Sequence, residues 1–242
     1  MDPSSGKVAL TSRAPCADED VAIPSYLTET YWWAYVHPRV VYLFERQWLV
    51  NVILWGNFAR LRDLALHALG ALTGGRTLQI ACVYGDLTAR LIVQLESDSR
   101  LDVVDILPIQ LQSLARKLPD PDAATLICGN SAALQFESGS YDRALLFFLL
   151  HEQPQEVRRR TLSEALRVVK PGGRIVIVDY HRPRTFHPLY LPMAAILRGL
   201  EPFALDLWRH DVARWLPPEQ PVAAIAKRAL FGGLYQLVTI TV

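Results

Sequence analysis

Short apolar runs alternate with amphipathic, helix-like segments from about residue 76 to residue 242, and this alternation restricts the fold more than any other feature. Strands that alternate with helices along a chain pair in parallel and carry helices on both faces of the sheet. Ala144–Leu149 is an unbroken apolar run, which is typical of a central parallel strand covered on both sides. We therefore predict an α/β fold with a doubly wound, mostly parallel sheet whose last strand is antiparallel.

The predicted segments follow one another with short connections. Five strands are expected at Thr77–Val83, Leu101–Val104, Thr125–Cys128, Ala144–Leu149 and Arg174–Asp179. Helices are expected at Leu87–Leu95, Ile109–Lys117 and Glu156–Val169. A closing pair of strands, Ala223–Leu230 and Tyr235–Val242, is joined by Phe231-Gly232-Gly233. Residues 76–242 thus form the α/β domain in this interpretation.

Residues 25–70 form an aromatic, helical cap in the prediction. Apolar side chains recur there every three to four residues from Val41 to Ala59, Gly56 interrupts the run and Gly70 ends it. The opposite side of this helix is also apolar, which is expected of a helix that is buried or in contact with an apolar partner. Two interpretations stay open: a cap packed on the core, or a lid that also meets a lipid surface or a hydrophobic substrate.

Composition and charge exclude several functional classes. Twenty-five Lys and Arg balance 24 Asp and Glu, so we expect no nucleic-acid partner. Three separated cysteines predict no disulfide framework and fit a reducing compartment. No uncharged apolar run reaches the roughly 18 residues that a spanning helix needs. Residues 1–24 are predicted to be a mobile tail, since Met1–Asp20 lacks the basic and apolar regions of a secretory signal.

Three predicted strand ends carry side chains suited to a nucleotide. Strand one leads through a turn containing Gly85 into a helix, whose N-terminus can face a ligand. Asp105, 20 residues after Gly85, could accept hydrogen bonds from a ribose, and Asn130 could meet an adenine edge. The alternative is that both are turn or capping residues. The predicted cofactor-binding residues are Cys82, Val83, Tyr84, Gly85, Asp86, Asp105, Ile106, Asn130, Ser131 and Phe147.

These residues carry a resemblance to a known superfamily. Thr77–Asp179 resembles the class I S-adenosylmethionine-dependent methyltransferases, close to the ubiquinone/menaquinone C-methyltransferases. The matching motifs are Ala81-Cys82-Val83-Tyr84-Gly85-Asp86, Val104-Asp105-Ile106, Ser140-Tyr141-Asp142 and Arg167-Val168-Val169-Lys170-Pro171-Gly172-Gly173-Arg174. The resemblance implies a Rossmann-like methyltransferase sheet and S-adenosylmethionine as cofactor.

The departures from that pattern point to one branch. Gln79 stands where the superfamily has an acid, and Val83-Tyr84 replace the Gly-x that precedes Gly85. His151-Glu152 replace Arg-Asn after strand four, and Asp179-Tyr180-His181 replace Glu-Phe after strand five. With the aromatic run Tyr31-Trp32-Trp33-Ala34-Tyr35-Val36-His37-Pro38-Arg39, the chain is similar to the rhodoquinone biosynthesis family, RquA. That resemblance implies replacement of a methoxy group of ubiquinone by an amino group, with S-adenosylmethionine as amino donor and manganese as metal cofactor.

Candidate site residues follow from this implied chemistry. Manganese prefers oxygen and imidazole ligands, which strand ends four and five offer. The predicted metal ligands are His151, Glu152, Asp179 and His181, and the predicted catalytic residues are His151, Glu152, Asp179 and Tyr180. The predicted substrate contacts are Trp32, Tyr35, His37 and Tyr180. Each has a structural alternative, namely a loop pair, a cap, a salt bridge or a core aromatic residue.

Three functions remain open from the sequence. The first is the amination of ubiquinone, the second is an ordinary quinone methyltransferase, and the third is a non-catalytic scaffold that binds lipid or quinone. A lipid quinone implies a peripheral membrane protein, since the substrate tail lies in a bilayer. A helical insertion at residues 182–220 is expected to cover the quinone pocket. We expect a cytoplasmic protein at the inner membrane of a bacterium, or the matrix side in a mitochondrion.

Overall fold

A computed structural model describes residues 23–30 and 47–242. Within these ranges the strands are β1 (Gly75–Ile80), β2 (Ser99–Asp105), β3 (Thr125–Cys128), β4 (Tyr141–Phe147), β5 (Val169–Tyr180), β6 (Ala224–Leu230) and β7 (Tyr235–Thr241). The α-helices are α1 (Ser25–Thr30), α2 (Gln47–Ile53), α3 (Phe58–Leu69), α4 (Leu87–Val93), α5 (Pro108–Lys117), α6 (Gln155–Val168), α7 (Tyr190–Leu200) and α8 (Ala204–Arg209). Single 3-10 turns lie at Pro121–Ala123, Leu150–Glu152, Val212–Trp215 and Phe231–Gly233.

The seven strands form one sheet in the order β3-β2-β1-β4-β5-β7-β6. The first five strands are parallel, whereas β7 runs antiparallel between β5 and β6. This confirms the predicted α/β class with a Rossmann-like, mostly parallel sheet and a final antiparallel strand. The strand order reverses between β1 and β4, and ligands bind at the carboxyl ends of the strands at such a point in open α/β sheets.

Two apolar layers cover the sheet, because successive strand residues point to opposite faces. Leu145 and Val176 face α3, α4 and α5, whereas Leu146 and Ile177 face α6. The α3 side chains Leu61, Ala65, Leu66 and Leu69 belong to the first layer. Helix α3 is therefore part of the same core as the sheet.

The predicted cap helix is interrupted at Gly56, and the structure has two helices, α2 and α3, in its place. Trp55 and Gly56 both adopt positive φ values, 52° and 76°, between α2 and α3. The Gly56 amide donates to the Asn51 carbonyl at 2.7 Å, which closes the end of α2. The chain consequently changes direction here, and α2 does not continue the axis of α3.

The segment that follows β5 returns to the same side of the molecule as α2. Its helix α7 buries Met193 and Leu197, and the indole of Trp55 donates to the Met193 sulfur at 3.2 Å. This contact brings the 182–220 segment against the residues after α2. In the parts of the chain that the structure describes, every helix is too short or too polar to cross a bilayer.

Candidate functional site

A cavity opens at the carboxyl ends of β1, β2, β3 and β4. Its lining includes residues of all four strand ends, of α2 and of the segment after β5. Among the predicted site residues it contains Cys82, Val83, Tyr84, Asp105, Ile106, Asn130, Ser131, Phe147, His151, Glu152 and Tyr180. The predicted substrate contacts Trp32, Tyr35 and His37 lie outside the described residues.

The side chain of Gln79 stabilises the turn after β1 through two hydrogen bonds. Its amide nitrogen donates to the Ala81 carbonyl at 3.0 Å, and its oxygen accepts from the Thr88 hydroxyl at 3.0 Å. Ala81 adopts a φ of 75°, a conformation that L-residues rarely take, so the turn is locally strained. The residue that replaces the superfamily's acid thus supports the turn rather than facing the cavity.

Tyr84 is the most unusual residue of this turn. Its hydroxyl accepts a hydrogen bond from the Gln110 side chain of α5 at 2.8 Å. This hydrogen bond fixes the position of the ring, which lies directly after Val83, the residue that replaces the glycine of the quinone methyltransferase motif. Together with Val83 it occupies space at the turn that a glycine would leave open for a ligand.

Gly85 and Asp86 hold α3 against the turn. The Asp86 carboxylate accepts from Arg62 at 2.6 and 2.8 Å and from Arg90 at 3.1 Å. Burial favours the neutral acid, but these guanidinium groups lower the pKa of Asp86. A Cβ on Gly85 would lie 2.6 Å from the Phe58 ring. Neither residue lines the cavity, so their position indicates a scaffold role.

Asp105 ties the end of β2 to the β1 turn. One carboxylate oxygen accepts from the Cys82 amide at 2.6 Å, and the other accepts from the Leu107 amide at 2.8 Å. Burial raises the pKa of Asp105 to about 6, although these amide hydrogen bonds act to lower it. Each oxygen has a second lone pair, so the carboxylate can still accept a hydroxyl from a ligand in the cavity.

The acceptor expected from Asn130, after β3, is replaced by Gln153, which lies in the loop after β4. The Asn130 side-chain oxygen accepts from the Ala132 amide at 2.9 Å, so it stabilises its own turn. Gln153, which the sequence reasoning missed, donates to the Ser131 hydroxyl at 3.0 Å. The Gln153 side-chain oxygen is buried and has no hydrogen-bond partner within the described ranges. Gln153 is therefore a stronger candidate than Asn130 for contact with an adenine amino group.

His151 and Asp179 form a buried pair at the cavity. Nδ1 of His151 lies 3.0 Å from an Asp179 oxygen, and Nε2 lies 3.9 Å from a Glu152 oxygen. Burial alone would lower the pKa of His151, but the charge of Asp179, with smaller contributions from Glu201 and Glu152, raises it to about 9. The imidazole is consequently charged at neutral pH.

Asp179 is fully buried and accepts hydrogen bonds from three backbone amides. One oxygen accepts from the Leu150 and His151 amides at 2.8 and 3.2 Å, and the other accepts from the Tyr180 amide at 2.7 Å. These bonds bind the turn after β4 to the end of β5. Asp179 therefore positions His151 and does not itself line the cavity.

Arg158 of α6 fixes the loop that carries His151. It is completely buried, and it donates to the carbonyls of Leu150, Gln153 and Phe203 at 2.9, 2.9 and 3.0 Å. Its guanidinium also stacks on the Trp215 ring with 4.4 Å to the centroid. One side chain thus joins the His151 loop to the residue that precedes α8.

Aromatic rings form the floor of the cavity around His151. Tyr180 packs edge-to-face against His151 at 4.9 Å and against Phe148 at 5.3 Å between ring centroids. Phe148 adopts a φ of 55°, a further strained conformation at a strand end. Burial, together with nearby Tyr235, raises the pKa of Tyr180 well above its ordinary value, so its hydroxyl stays neutral. An aromatic ring could stack or pack edge-on here.

The sequence reasoning also missed Tyr26 and Glu201 at the cavity rim. Tyr26 belongs to α1, and Glu201 follows α7. Burial, with the charges of Glu152 and Asp105, raises the pKa of Tyr26. Neither residue stands in a recognisable motif, and only the folding of distant segments onto the sheet edge brings them together.

The four predicted metal ligands do not form a metal site. Asp179 accepts from three amides and pairs with His151, and Nδ1 of His181 lies 2.8 Å from the Gly233 carbonyl, beside a separate cavity. Across residues 23–30 and 47–242, no group of three or more His, Cys, Asp or Glu side chains is arranged to hold an ion. The described residues therefore give no support for manganese, and the assignment of these ligands stays a prediction.

The fold and the cavity define a Rossmann-like protein of the methyltransferase class. The N-methyltransferase NodS of Bradyrhizobium japonicum shares this fold with a TM-score of 0.56 and 13% identity, covering 76% of this chain and 94% of that one. Residues 45–211 match the ubiE/COQ5 methyltransferase family. The protein belongs to that family.

Two relatives have names that state a quinone substrate. The demethylmenaquinone methyltransferase of Renibacterium salmoninarum is 34% identical over 208 residues, which cover 77% of this chain and 83% of that protein. The 2-phytyl-1,4-naphtoquinone methyltransferase of Trichormus variabilis is 30% identical over 139 residues, which cover 54% and 59%. Family membership implies S-adenosylmethionine as cofactor.

Proposed function

We propose that this protein is an S-adenosylmethionine-dependent transferase that modifies the ring of a lipid quinone. The observation that carries the proposal is the charged His151, backed by buried Asp179, on an aromatic cavity floor next to the turn after β1. An aromatic floor suits a flat ring, and a charged imidazole can donate a hydrogen bond to a ring oxygen. The quinone substrates of the relatives support the same substrate class.

The cavity residues fit the cofactor that the family implies. Asp105 retains acceptor capacity for ribose hydroxyls, and the buried oxygen of Gln153 needs a donor such as an adenine amino group. The Cys82 amide already donates to Asp105, whereas the Val83 and Tyr84 amides belong to the turn that precedes α4, whose N-terminal positive partial charge attracts a carboxylate. When bound, S-adenosylmethionine supplies the group that is transferred.

Methyl transfer to the quinone ring is the first form of this proposal, and the relatives support it. The ring carbon that receives a methyl group must lose a proton, so His151 would act as a general base in its neutral form. Because the pKa of His151 is about 9, the rate of methylation is expected to increase with pH up to that value.

Amination is the second form, and two observations favour it. Val83 and Tyr84 crowd the turn where the superfamily leaves space, and His151 carries a positive charge at neutral pH. When an amine adds to the ring carbon that carries methoxy, negative charge develops on a quinone oxygen and a cationic donor stabilises it; methoxide then leaves and takes the proton of the added nitrogen as methanol. With S-adenosylmethionine as the amine, the carbon–nitrogen bond of the cofactor would then also break by elimination, in which a proton is lost from the adjacent carbon and the aminoquinone leaves. The rate of amination is therefore expected to fall as pH rises above about 9.

Mass spectrometry of the product distinguishes the two forms. The protein is incubated anaerobically with S-adenosylmethionine and either ubiquinone or its demethylated precursor, with and without manganese. A product heavier by one methylene supports methyl transfer, and a product in which amino replaces methoxy supports amination. The proposal would be refuted if neither product formed with any of the acceptors. His151→Gln is expected to abolish turnover, whereas His67→Gln, at an exposed position of α3, serves as the control.

The crowded turn has its own test. In the V83G/Y84T double variant the turn regains the space that methyltransferases have, so amination is expected to fall by at least tenfold. Tyr84→Phe removes only the hydrogen bond to Gln110 and is the matched control. Amination at the original rate in the double variant would contradict a role for the crowding.

A further inference from the structure

Helix α7 presents apolar side chains to solvent on the side away from the core. Met193 and Leu197 are buried, but Leu191 is 76% exposed, and Ile196 and Leu200 are also exposed. Arg198 is the one charged residue among the 11 of this helix. A helix in contact with water alone would carry polar side chains on this face.

The exposed apolar surface continues onto neighbouring segments. In α2, Val52 and Trp48 are 61% and 59% exposed, and the Trp55–Met193 hydrogen bond links the end of α2 to α7. Phe186, in the loop before α7, is 99% exposed. We call these side chains the apolar ridge: Trp48, Val52, Phe186, Leu191, Ile196 and Leu200.

Positive charge lies next to the apolar ridge. Arg182 and Arg184 belong to the same loop as Phe186, and with Arg209 and His210 they line a second cavity. Arg182 and Arg184 are exposed, and the described residues provide no ion pair for either. The one acidic residue among the lining residues of this cavity, Asp211, is already paired with Lys227. The second cavity therefore carries a net positive charge.

We propose that the apolar ridge and these arginines form the surface with which the protein docks onto an anionic lipid bilayer. Exposed aromatic and aliphatic side chains insert at the headgroup boundary, and arginines complement lipid phosphates. The proposal rests on the lipid quinone of the proposed function. It also assigns the entry side of the active cavity, because Ile53 of α2 and Glu201 after α7 line that cavity next to the apolar ridge.

Vesicle sedimentation without any quinone tests this surface. The full chain is mixed with vesicles of phosphatidylcholine alone, or of phosphatidylcholine with phosphatidylglycerol. Binding to the anionic vesicles is expected to be stronger and to weaken at high salt, since surface charges are screened. Each arginine near the bilayer contributes about fivefold to the partition coefficient, so R182Q/R184Q is expected to lower it by about 25-fold. Arg100→Gln, at an exposed position in β2, is the control.

A second variant tests the apolar contribution. F186S/L191S is expected to lower binding to both vesicles by at least tenfold, whereas Val93→Ser, which removes an 82% exposed side chain of α4, leaves it unchanged. The proposal is overturned if the full chain sediments with neither vesicle, or if the control variants lose as much binding. It is also overturned if F186S/L191S instead abolishes self-association in analytical ultracentrifugation while vesicle binding persists.

Failure of this proposal can be separated from failure of the proposed function. Turnover of a short-chain, water-soluble quinone does not require the bilayer, so F186S/L191S is expected to retain it. Vesicle binding without turnover would refute only the proposed function, and turnover without vesicle binding would refute only the docking surface.

Discussion

The charge of His151 makes the stability of the protein depend on pH in a defined window. The pKa of His151 is about 9 in the folded protein, against 6.5 for the ordinary side chain. Each pKa unit of difference between the folded and unfolded states is worth about 1.4 kcal/mol. Protonated His151 beside Asp179 therefore contributes about 3 kcal/mol to the free energy of unfolding.

The sign of this dependence follows from the raised pKa. The folded protein binds the proton more tightly than the unfolded chain does, so the contribution is complete below pH 6.5. It decreases as pH rises through the window and is lost above pH 9 or so. The protein is thus expected to be more stable on the acidic side of this window than on the basic side.

Urea unfolding measured by tryptophan fluorescence at a series of pH values tests this reasoning. The wild-type protein is compared with His151→Gln, and the difference in their free energies of unfolding isolates the contribution of His151. This difference is expected to change by about 3 kcal/mol between pH 6.5 and 9. His67→Gln should retain the wild-type dependence. A difference that stays constant across the window would show that Asp179 does not hold the proton on His151.

Three further predictions concern the scaffold of the site. Gly85→Ala is expected to lower the free energy of unfolding by about 2 kcal/mol, because φ is 86° and a Cβ would overlap Phe58. The control in the same denaturation assay is Gly199→Ala, since a Cβ at that position would have no heavy atom within 4 Å. Calorimetry should show that cofactor binding weakens as pH falls below about 6, because Asp105 accepts hydroxyls best as a carboxylate. The Asp105→Asn variant should bind the cofactor weakly and without that pH dependence. Equal pH dependence in both proteins would contradict the assignment. Arg158→Met is expected to lower the free energy of unfolding by about 3 kcal/mol, because three carbonyls lose their donor; an unchanged melting temperature would contradict this.

The fold could be predicted from the sequence because each central strand is an apolar run between turn residues. Ala144–Leu149 indicated a covered parallel strand, and β4 lies at the centre of the sheet. The closing pair of strands around Gly232-Gly233 is confirmed as β6 and β7. Strand β5 begins at Val169, earlier than predicted, because Val169 pairs with Tyr141 of β4 and the register shifts before Arg174 pairs with Arg143.

The location of the site could be predicted from the sequence, but its hydrogen bonds could not. Strand ends indicated His151 and Asp179 together, since parallel strands end at one edge of a sheet. The sequence did not show that Asp179 accepts from three backbone amides, or that the Asn130 side chain accepts from an amide of its own turn. These outcomes depend on how each loop closes, which side-chain type and spacing do not determine. Gln153, Tyr26 and Glu201 were missed for the same reason.

Arg158 ties the loop that bears His151 to the segment that leads into α8. Its guanidinium holds Leu150 and Gln153 on the sheet side and Phe203 on the helical side at once. Any outward swing of α8 that releases the Phe203 carbonyl also changes the donor geometry that fixes the loop bearing His151. The position of α8 is therefore coupled through this one side chain to the placement of His151.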